Sequence, residues 1–143
     1  MNNIKKNLIE TGLSNQIKSV GEEYKDSFLF SLFEKLNSYS KLYEKYLQDI
    51  EFEGCYEANQ NIITKDFDSR IQLEIKDIKQ MHTKLVKNIR RYLAVYPTMK
   101  EENKILEKIL DILTILQYSN DIEIVENNYQ QLRKIIKQKS DII

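Results

Sequence analysis

The sequence contains few of the residues that interrupt helices. It has one proline, Pro97, and three glycines, Gly12, Gly21 and Gly54. Because proline breaks a helix interior and glycine weakens it by about 1 kcal/mol, long stretches of the chain can form uninterrupted helices. Glycines spaced so far apart also exclude a glycine-rich loop of the kind that cradles phosphate groups.

Cysteine and histidine are scarcer still. Cys55 is the only cysteine, which excludes a disulfide within the chain and favours a reducing compartment. His82 is the only histidine, so the usual sets of zinc ligands cannot be assembled. No apolar run reaches the length of a signal peptide core or a membrane span. We therefore expect a cytoplasmic protein of bacterial type that uses no metal and no cofactor.

The chain also has no excess of charge of either sign. Its 22 basic and 22 acidic residues cancel, which excludes an overall field that would attract nucleic acid or an anionic membrane. A length of 143 residues is typical of a single globular domain. We predict one domain, with an N-terminal segment over residues 1–20, a long helical hairpin over 22–96 and a shorter hairpin over 99–139.

What the sequence does have is helical periodicity. From Phe67 to Tyr96, apolar residues recur in steps of three and four, which places an apolar stripe along one side of a helix. Similar stripes predict helices over about 22–52, 99–118 and 122–139, and a weak one over 3–18. Because such stripes can be buried only against one another, we predict an all-α antiparallel bundle of four long helices plus a weak N-terminal helix.

Local signals predict where the helices begin and end. Ser19 and Glu22 have the spacing of a capping box, which predicts a helix start after the N-terminal segment. Gly54 suits the left-handed residue that commonly ends a helix. Thr98 and Glu101 form a second capping box, which predicts the start of the helix that follows Pro97.

The charges are neutral in sum but unevenly distributed. Residues 44–77 hold nine acids and four bases, whereas residues 78–100 hold six bases and no acid. Cations near helix C-termini match the helix dipole, which is the simplest interpretation of the basic region. The alternative is a basic patch that docks an acidic partner or nucleic-acid phosphates. This possible basic patch consists of Lys84, Lys87, Arg90, Arg91, Lys100 and Lys137.

A partner-binding surface is predicted at the other end of the same hairpin. Tyr39, Tyr43 and Tyr46 share one helical face, and a row of hydroxyl-bearing rings suits either the edge of the core or a protein interface. The acidic end of that helix opposes its own dipole, so helix stability does not explain its charges. The predicted acidic contacts are Asp49, Glu51 and Glu53.

Enzymatic chemistry has only weak candidates. His82 falls within an apolar stripe, where a core histidine with one hydrogen-bond partner is the simpler interpretation. The segment from Met81 to Leu85 resembles the reactive helix of histidine phosphotransfer domains, but Val86 stands near where those domains place a glycine. Glu74 and Asp77, three residues apart, could contribute to a Mg²⁺ site, although such spacing is common on solvated helix faces.

We therefore expect a non-enzymatic protein-protein interaction module: an adaptor, chaperone, immunity-type inhibitor or regulatory subunit. Its partner would be another protein or a second copy of the chain, and not a membrane. The alternative is a nucleic-acid-binding protein that uses the basic patch around Lys84–Lys100. A third hypothesis is a phosphotransfer-like or metal-dependent enzyme centred on His82 or on Glu74 and Asp77.

Overall fold

The computed structural model describes the backbone of residues 9–57 and 61–142, and the side chains of residues 26–56 and 61–139. Its elements, in chain order, are helix α1 (Ile9–Phe52), strands β1 (Tyr56–Glu57) and β2 (Ile62–Ile63), and helices α2 (Ser69–Val95), α3 (Lys100–Tyr118) and α4 (Ile122–Ile142).

The predicted all-α class is confirmed, because four helices pack against each other in the order α1, α2, α3, α4 and back to α1. The chain divides into two units, residues 1–31 and 32–143. The single domain therefore stays a prediction. In the second unit the apolar stripes of the helices form a continuous core. Its most completely buried side chains include Leu32, Leu36, Tyr39, Ile50, Ile71, Leu85, Ile89, Leu106, Ile109, Leu113 and Leu132.

The break predicted at Ser19 and Glu22 is wrong, because α1 is continuous from Ile9 to Phe52. Ending and restarting a helix would leave eight backbone groups without helical partners, whereas a glycine in a helix costs only about 1 kcal/mol. Crossing Gly21 is therefore the cheaper choice. Residues 3–8 of the predicted N-terminal helix lie outside the described residues.

The predicted stop at Gly54 is confirmed, and its geometry is that of a Schellman motif. Gly54 has a positive φ of 66° and donates its N–H to the Glu51 carbonyl at 3.2 Å. The next residue, Cys55, donates to the Ile50 carbonyl at 2.8 Å. These two bonds satisfy carbonyls at the end of α1 that have no helical partner, and they turn the chain sharply.

The loop after α1 is tied to the corner between α3 and α4. Strands β1 and β2 pair in an antiparallel ladder, and Ile62 forms a β-bridge with Asp121. The Ile63 N–H donates to the Asn120 carbonyl and the Ile122 N–H to the Asn61 carbonyl, each at 2.7 Å. We call this end of the bundle, residues 53–57 and 61–68 with 119–121, the loop end. The opposite end, residues 96–99, is the Pro97 end.

The two ends differ in how their helices are capped. At the loop end, Asp68 accepts the Ile71 N–H at 2.9 Å, and Asp121 accepts the Glu123 N–H at 3.0 Å. At the Pro97 end the predicted capping box of Thr98 and Glu101 is wrong. Helix α3 begins after Met99, which makes no side-chain cap. Instead, the Asn103 amide donates to the Tyr96 carbonyl at 2.9 Å and bridges the turn.

Candidate functional site

The tyrosines predicted as a partner-binding surface lie inside the bundle. Tyr39, Tyr43 and Tyr46 have relative exposures of 0%, 2% and 8%. The prediction of a partner-facing tyrosine surface is therefore corrected, because the protomer itself covers these rings. Their helical spacing was read correctly, but the elements that cover them come from distant parts of the chain.

The covering contacts are specific. The Tyr129 ring of α4 stacks on Tyr43 with centroids 5.9 Å apart and planes at 19°. The Tyr43 hydroxyl donates to the Leu116 carbonyl near the end of α3 at 3.0 Å, and Tyr46 meets Phe67 edge to face. Burial raises the pKa of Tyr43 far above its usual value and that of Tyr46 to about 12. These hydroxyls therefore stay protonated and serve packing.

The acidic residues at the end of α1 are divided between internal and external roles. The Arg70 guanidinium donates to Glu53 Oε1 at 3.1 Å and lies 3.9 Å from Asp49 Oδ1. Asp49 is mostly covered, whereas Glu51 is exposed. Only part of the predicted acidic surface therefore faces solvent.

Glu74 is buried, although its spacing from Asp77 is typical of a solvated helix face. It is only 8% exposed, and neither carboxylate oxygen has a hydrogen-bond donor; the nearest cation, Lys45 Nζ, is 3.8 Å from Oε1. Burial first, and then the neighbouring Asp49 carboxylate, to which only a protonated Glu74 can donate, raise the pKa of Glu74 to about 7. Asp77 is exposed, so the two carboxylates do not share one site.

His82 and Cys55 show no arrangement for catalysis. His82 is half-buried, its Nδ1 has no hydrogen-bond partner, and burial lowers its pKa. Cys55 is buried, with its thiol 3.8 Å from the Asp66 carbonyl. Burial and then the charges of Glu53, Asp68 and Asp66 raise the pKa of the Cys55 thiol, which disfavours the reactive thiolate. Within the described residues, no cluster of three or more His, Cys, Asp or Glu side chains could hold a metal ion.

The predicted basic patch is accessible. Its six side chains are exposed, and none of them forms an ion pair with another described residue. Two of them, Lys87 and Arg91, are four residues apart and so share the outer face of α2. These residues are Lys84, Lys87, Arg90, Arg91, Lys100 and Lys137.

Exposed apolar side chains form a second accessible feature, which sequence reasoning missed. Among the described residues of 32–143, five of the six large exposed ones belong to the loop end or to the helix turns that meet it. They are Phe52, Ile62, Leu73, Tyr118 and Ile124. Phe52 and Tyr118, the last residues of α1 and α3, are 84% and 74% exposed. For Phe52 the sequence does hold a signal. The apolar stripe of α1 ends at Ile50, and a residue two positions later lies on a different face of the helix.

A groove of about 370 Å³ opens between α2 and α3, beside the loop end. Its apolar lining residues include Phe67, Ile75, Ile78 and Leu116. Its polar residues include two lysines, Lys65 of the loop and Lys79 of α2. The sequence gave no sign of this groove, because it combines residues from four separate segments.

Comparisons of the chain with protein-family models, curated proteins and solved structures found no match. Among the described helices, none combines the length and hydropathy that crossing a bilayer requires. Function must therefore be inferred from the surfaces themselves.

Proposed function

We propose that this protein is a non-enzymatic protein-binding module and that its loop end meets the partner. The observation that carries the proposal is the concentration of exposed apolar side chains there, above all Phe52 and Tyr118. Exposed apolar groups with a polar rim are typical of protein interfaces, and aromatic residues commonly dominate their binding energy. An adaptor, chaperone, immunity-type inhibitor or regulatory subunit in a bacterial cytoplasm would use such a surface.

The charges around these side chains favour a partner with a basic rim. Glu51 and Asp66 are exposed at the same end, and Arg70 is already engaged by Glu53 and Asp49. A second copy of the chain fits less well, because a two-fold interface would bring these carboxylates toward their own copies. We therefore assign the surface to a different protein.

Variants at the two ends of the bundle test this proposal. Phe52→Ser combined with Tyr118→Ser removes the two most exposed aromatic side chains, and Val95→Ser is the matched control at the opposite end. Partners captured by the unaltered protein from a native lysate would be identified and their affinities measured by calorimetry. We expect the double variant to bind at least about tenfold more weakly and Val95→Ser to bind unchanged. Equal affinity of the double variant would reject the loop end as the binding surface.

The basic patch supports a second candidate function, nucleic-acid binding, because its six cations are exposed and free of ion pairs within the described part of the chain. Phosphate contacts release counterions, so this function predicts binding that falls steeply with salt. Reversal of Lys87, Arg90 and Arg91 to glutamate should abolish binding to single-stranded and double-stranded oligonucleotides. Binding that survives the reversal would exclude the patch. The sequence pI of about 6.6 makes this the weaker candidate.

A further inference from the structure

The groove between α2 and α3 is built differently from the rest of the surface. Tyr43 and Tyr46 of α1 contribute to its lining, and their positions are held by the hydroxyl bond to Leu116 and the ring contact with Phe67. Phe67 is held in turn by Gln72, whose side-chain amide donates to the Phe67 carbonyl at 2.9 Å. The groove is therefore bounded by residues that have fixed partners.

Its lining combines apolar and polar side chains in similar proportion. Ile75 and Ile78 of α2 contribute one wall, Leu116 of α3 another, and Ile63 and Phe67 the part beneath the loop. Small-molecule sites combine apolar surface with polar groups that orient the ligand, and their volumes begin at about 300 Å³. The volume of about 370 Å³ lies near the lower end of that range.

The charge of the lining has a single sign. Among the described residues that line it, Lys65 and Lys79 are the charged ones, and none is a carboxylate. A shallower depression that shares Gln72, Ile75 and Lys79 continues along α2 and adds Lys76, again without an acid. In a chain with equal numbers of acids and bases, this absence of carboxylates leaves the two lysines to attract an anion.

Lys65 also has an unusual backbone conformation. Its φ is 60°, in the left-handed region that residues other than glycine, asparagine and aspartate rarely adopt. Such strain persists only where the surrounding structure enforces it, and it is enriched at ligand sites. The neighbouring bond from the Thr64 N–H to the Cys55 carbonyl, 2.9 Å long, helps to hold this segment.

We propose that the groove binds a small amphipathic anion, with an apolar body against Phe67, Ile75, Ile78 and Leu116 and a carboxylate or phosphate between Lys65 and Lys79. The ligand class is that of medium-chain acyl or alkyl compounds with an anionic headgroup. This activity goes beyond the protein-binding function: the loop end contributes Lys65 and Phe67 to the groove, but Phe52 and Tyr118, which carry the protein-binding proposal, do not line it.

The test uses decanoate, titrated into the full chain below its micelle concentration and followed by calorimetry and amide NMR. Decanol lacks the charge and decyltrimethylammonium reverses it. We expect saturable binding of decanoate at one site, with binding of decanol at least tenfold weaker and of the cation weaker still. Decyl phosphate distinguishes a phosphate headgroup from a carboxylate, and tight binding of either supports the proposal. No binding of either anion, or equal binding of decanol, would overturn it.

Paired variants locate the site. Lys65→Ser with Lys79→Ser removes both cations, and Lys84→Ser with Lys87→Ser is a control of equal charge change on exposed positions of α2 outside the groove. We expect the first pair to weaken decanoate binding at least tenfold and the second to leave it unchanged. If both pairs weakened decanoate binding equally, the loss would reflect the lower net charge of the protein, and the proposed site would be rejected. Circular dichroism of each variant confirms that the fold is intact.

Discussion

Helix α1 meets its two neighbours through polar contacts of opposite quality. Toward α4, the Arg133 guanidinium donates to Asn37 Oδ1 at 3.1 Å and to Ser40 Oγ at 3.0 Å. Toward α2, the carboxylates of Asp49 and Glu74 are neighbours. Their cations are at the limit of ion pairing, with Arg70 3.9 Å from Asp49 Oδ1 and Lys45 3.8 Å from Glu74 Oε1. The Ser40 hydroxyl is fully buried, accepts the bond from Arg133 and donates to the Asn37 carbonyl. By contrast, neither Glu74 oxygen has a donor among the described residues.

The difference shows how a bundle of this size tolerates polar groups in its interior. A buried donor and acceptor that are matched cost little, so the bonds of Arg133 should hold at any pH at which Arg133 is charged. A buried pair of acids can be satisfied only when one of them holds a proton. The contact of Glu74 with Asp49 should therefore respond to pH, and the contacts of Arg133 should not.

The largest expected effect comes from Glu74→Gln, which imitates the protonated acid. The folded-state pKa of Glu74 is about 7, above its usual value of 4.5. The folded protein therefore holds this proton more tightly than the unfolded chain. The associated stability is complete below about pH 4.5 and is lost as the pH rises through about 7. In urea unfolding at about pH 8, we expect the variant to be more stable than the unaltered protein by on the order of 3 kcal/mol.

Asp77→Asn is the matched control, since Asp77 is exposed and lies three residues from Glu74 on the same helix. We expect this control to keep the pH dependence of the unaltered protein, and Glu74→Gln to flatten it between about pH 4.5 and 7. Equal pH dependence of the free energy of unfolding in all three proteins would show that ionising Glu74 does not destabilise the fold.

Removing the donors on the other side should have an effect of opposite sign. Arg133→Met keeps much of the side-chain length and removes the bonds to Asn37 and Ser40. Hydrogen bonds to charged groups contribute about 1.5–3 kcal/mol, so we expect the free energy of unfolding to fall by about 2 kcal/mol, equally across this pH range. Lys134→Met, at an exposed neighbouring position, should change it by less than about 0.5 kcal/mol. A loss that is no larger for Arg133→Met would remove the contrast between the two sides.

The two sides also show what the sequence could reveal. Periodicity was sufficient for the helices, because spacing along one helix requires no knowledge of its neighbours. Steps of three and four from Phe67 predict that Ile75 belongs to the α2 stripe, but the buried residue between Ile71 and Ile78 is Glu74. Ile75 is instead only partly covered and lines the groove. A step of three from Ile71 also reaches Glu74, but acids are ordinarily exposed, so spacing alone does not predict that Glu74 is buried.

The site residues were harder to predict for a related reason. Whether a row of tyrosines faces a partner or the core depends on what covers it, and the covering residues Leu116 and Tyr129 lie 73 and 86 positions from Tyr43. The groove and the exposed apolar side chains of the loop end likewise depend on the ladder that brings Ile62 to Asp121. Pairing between distant segments is not encoded in the spacing of either one.

The smallest expected effect on stability comes from two buried tyrosines of α1, one with a hydrogen-bond partner for its hydroxyl and one without. Tyr39 and Tyr43 are both buried, but the Tyr39 hydroxyl has no hydrogen-bond partner, whereas that of Tyr43 donates to Leu116. Tyr43→Phe should lower the free energy of unfolding by about 1 kcal/mol, because a carbonyl in the last turn of α3 loses its donor. Tyr39→Phe removes a hydroxyl that is buried without compensation, so unfolding should require as much free energy as before, or about 1 kcal/mol more. Urea unfolding of both variants gives the comparison directly, and a larger loss for Tyr39→Phe than for Tyr43→Phe would mean that the Tyr39 hydroxyl has a partner in solution, a bound water being the simplest.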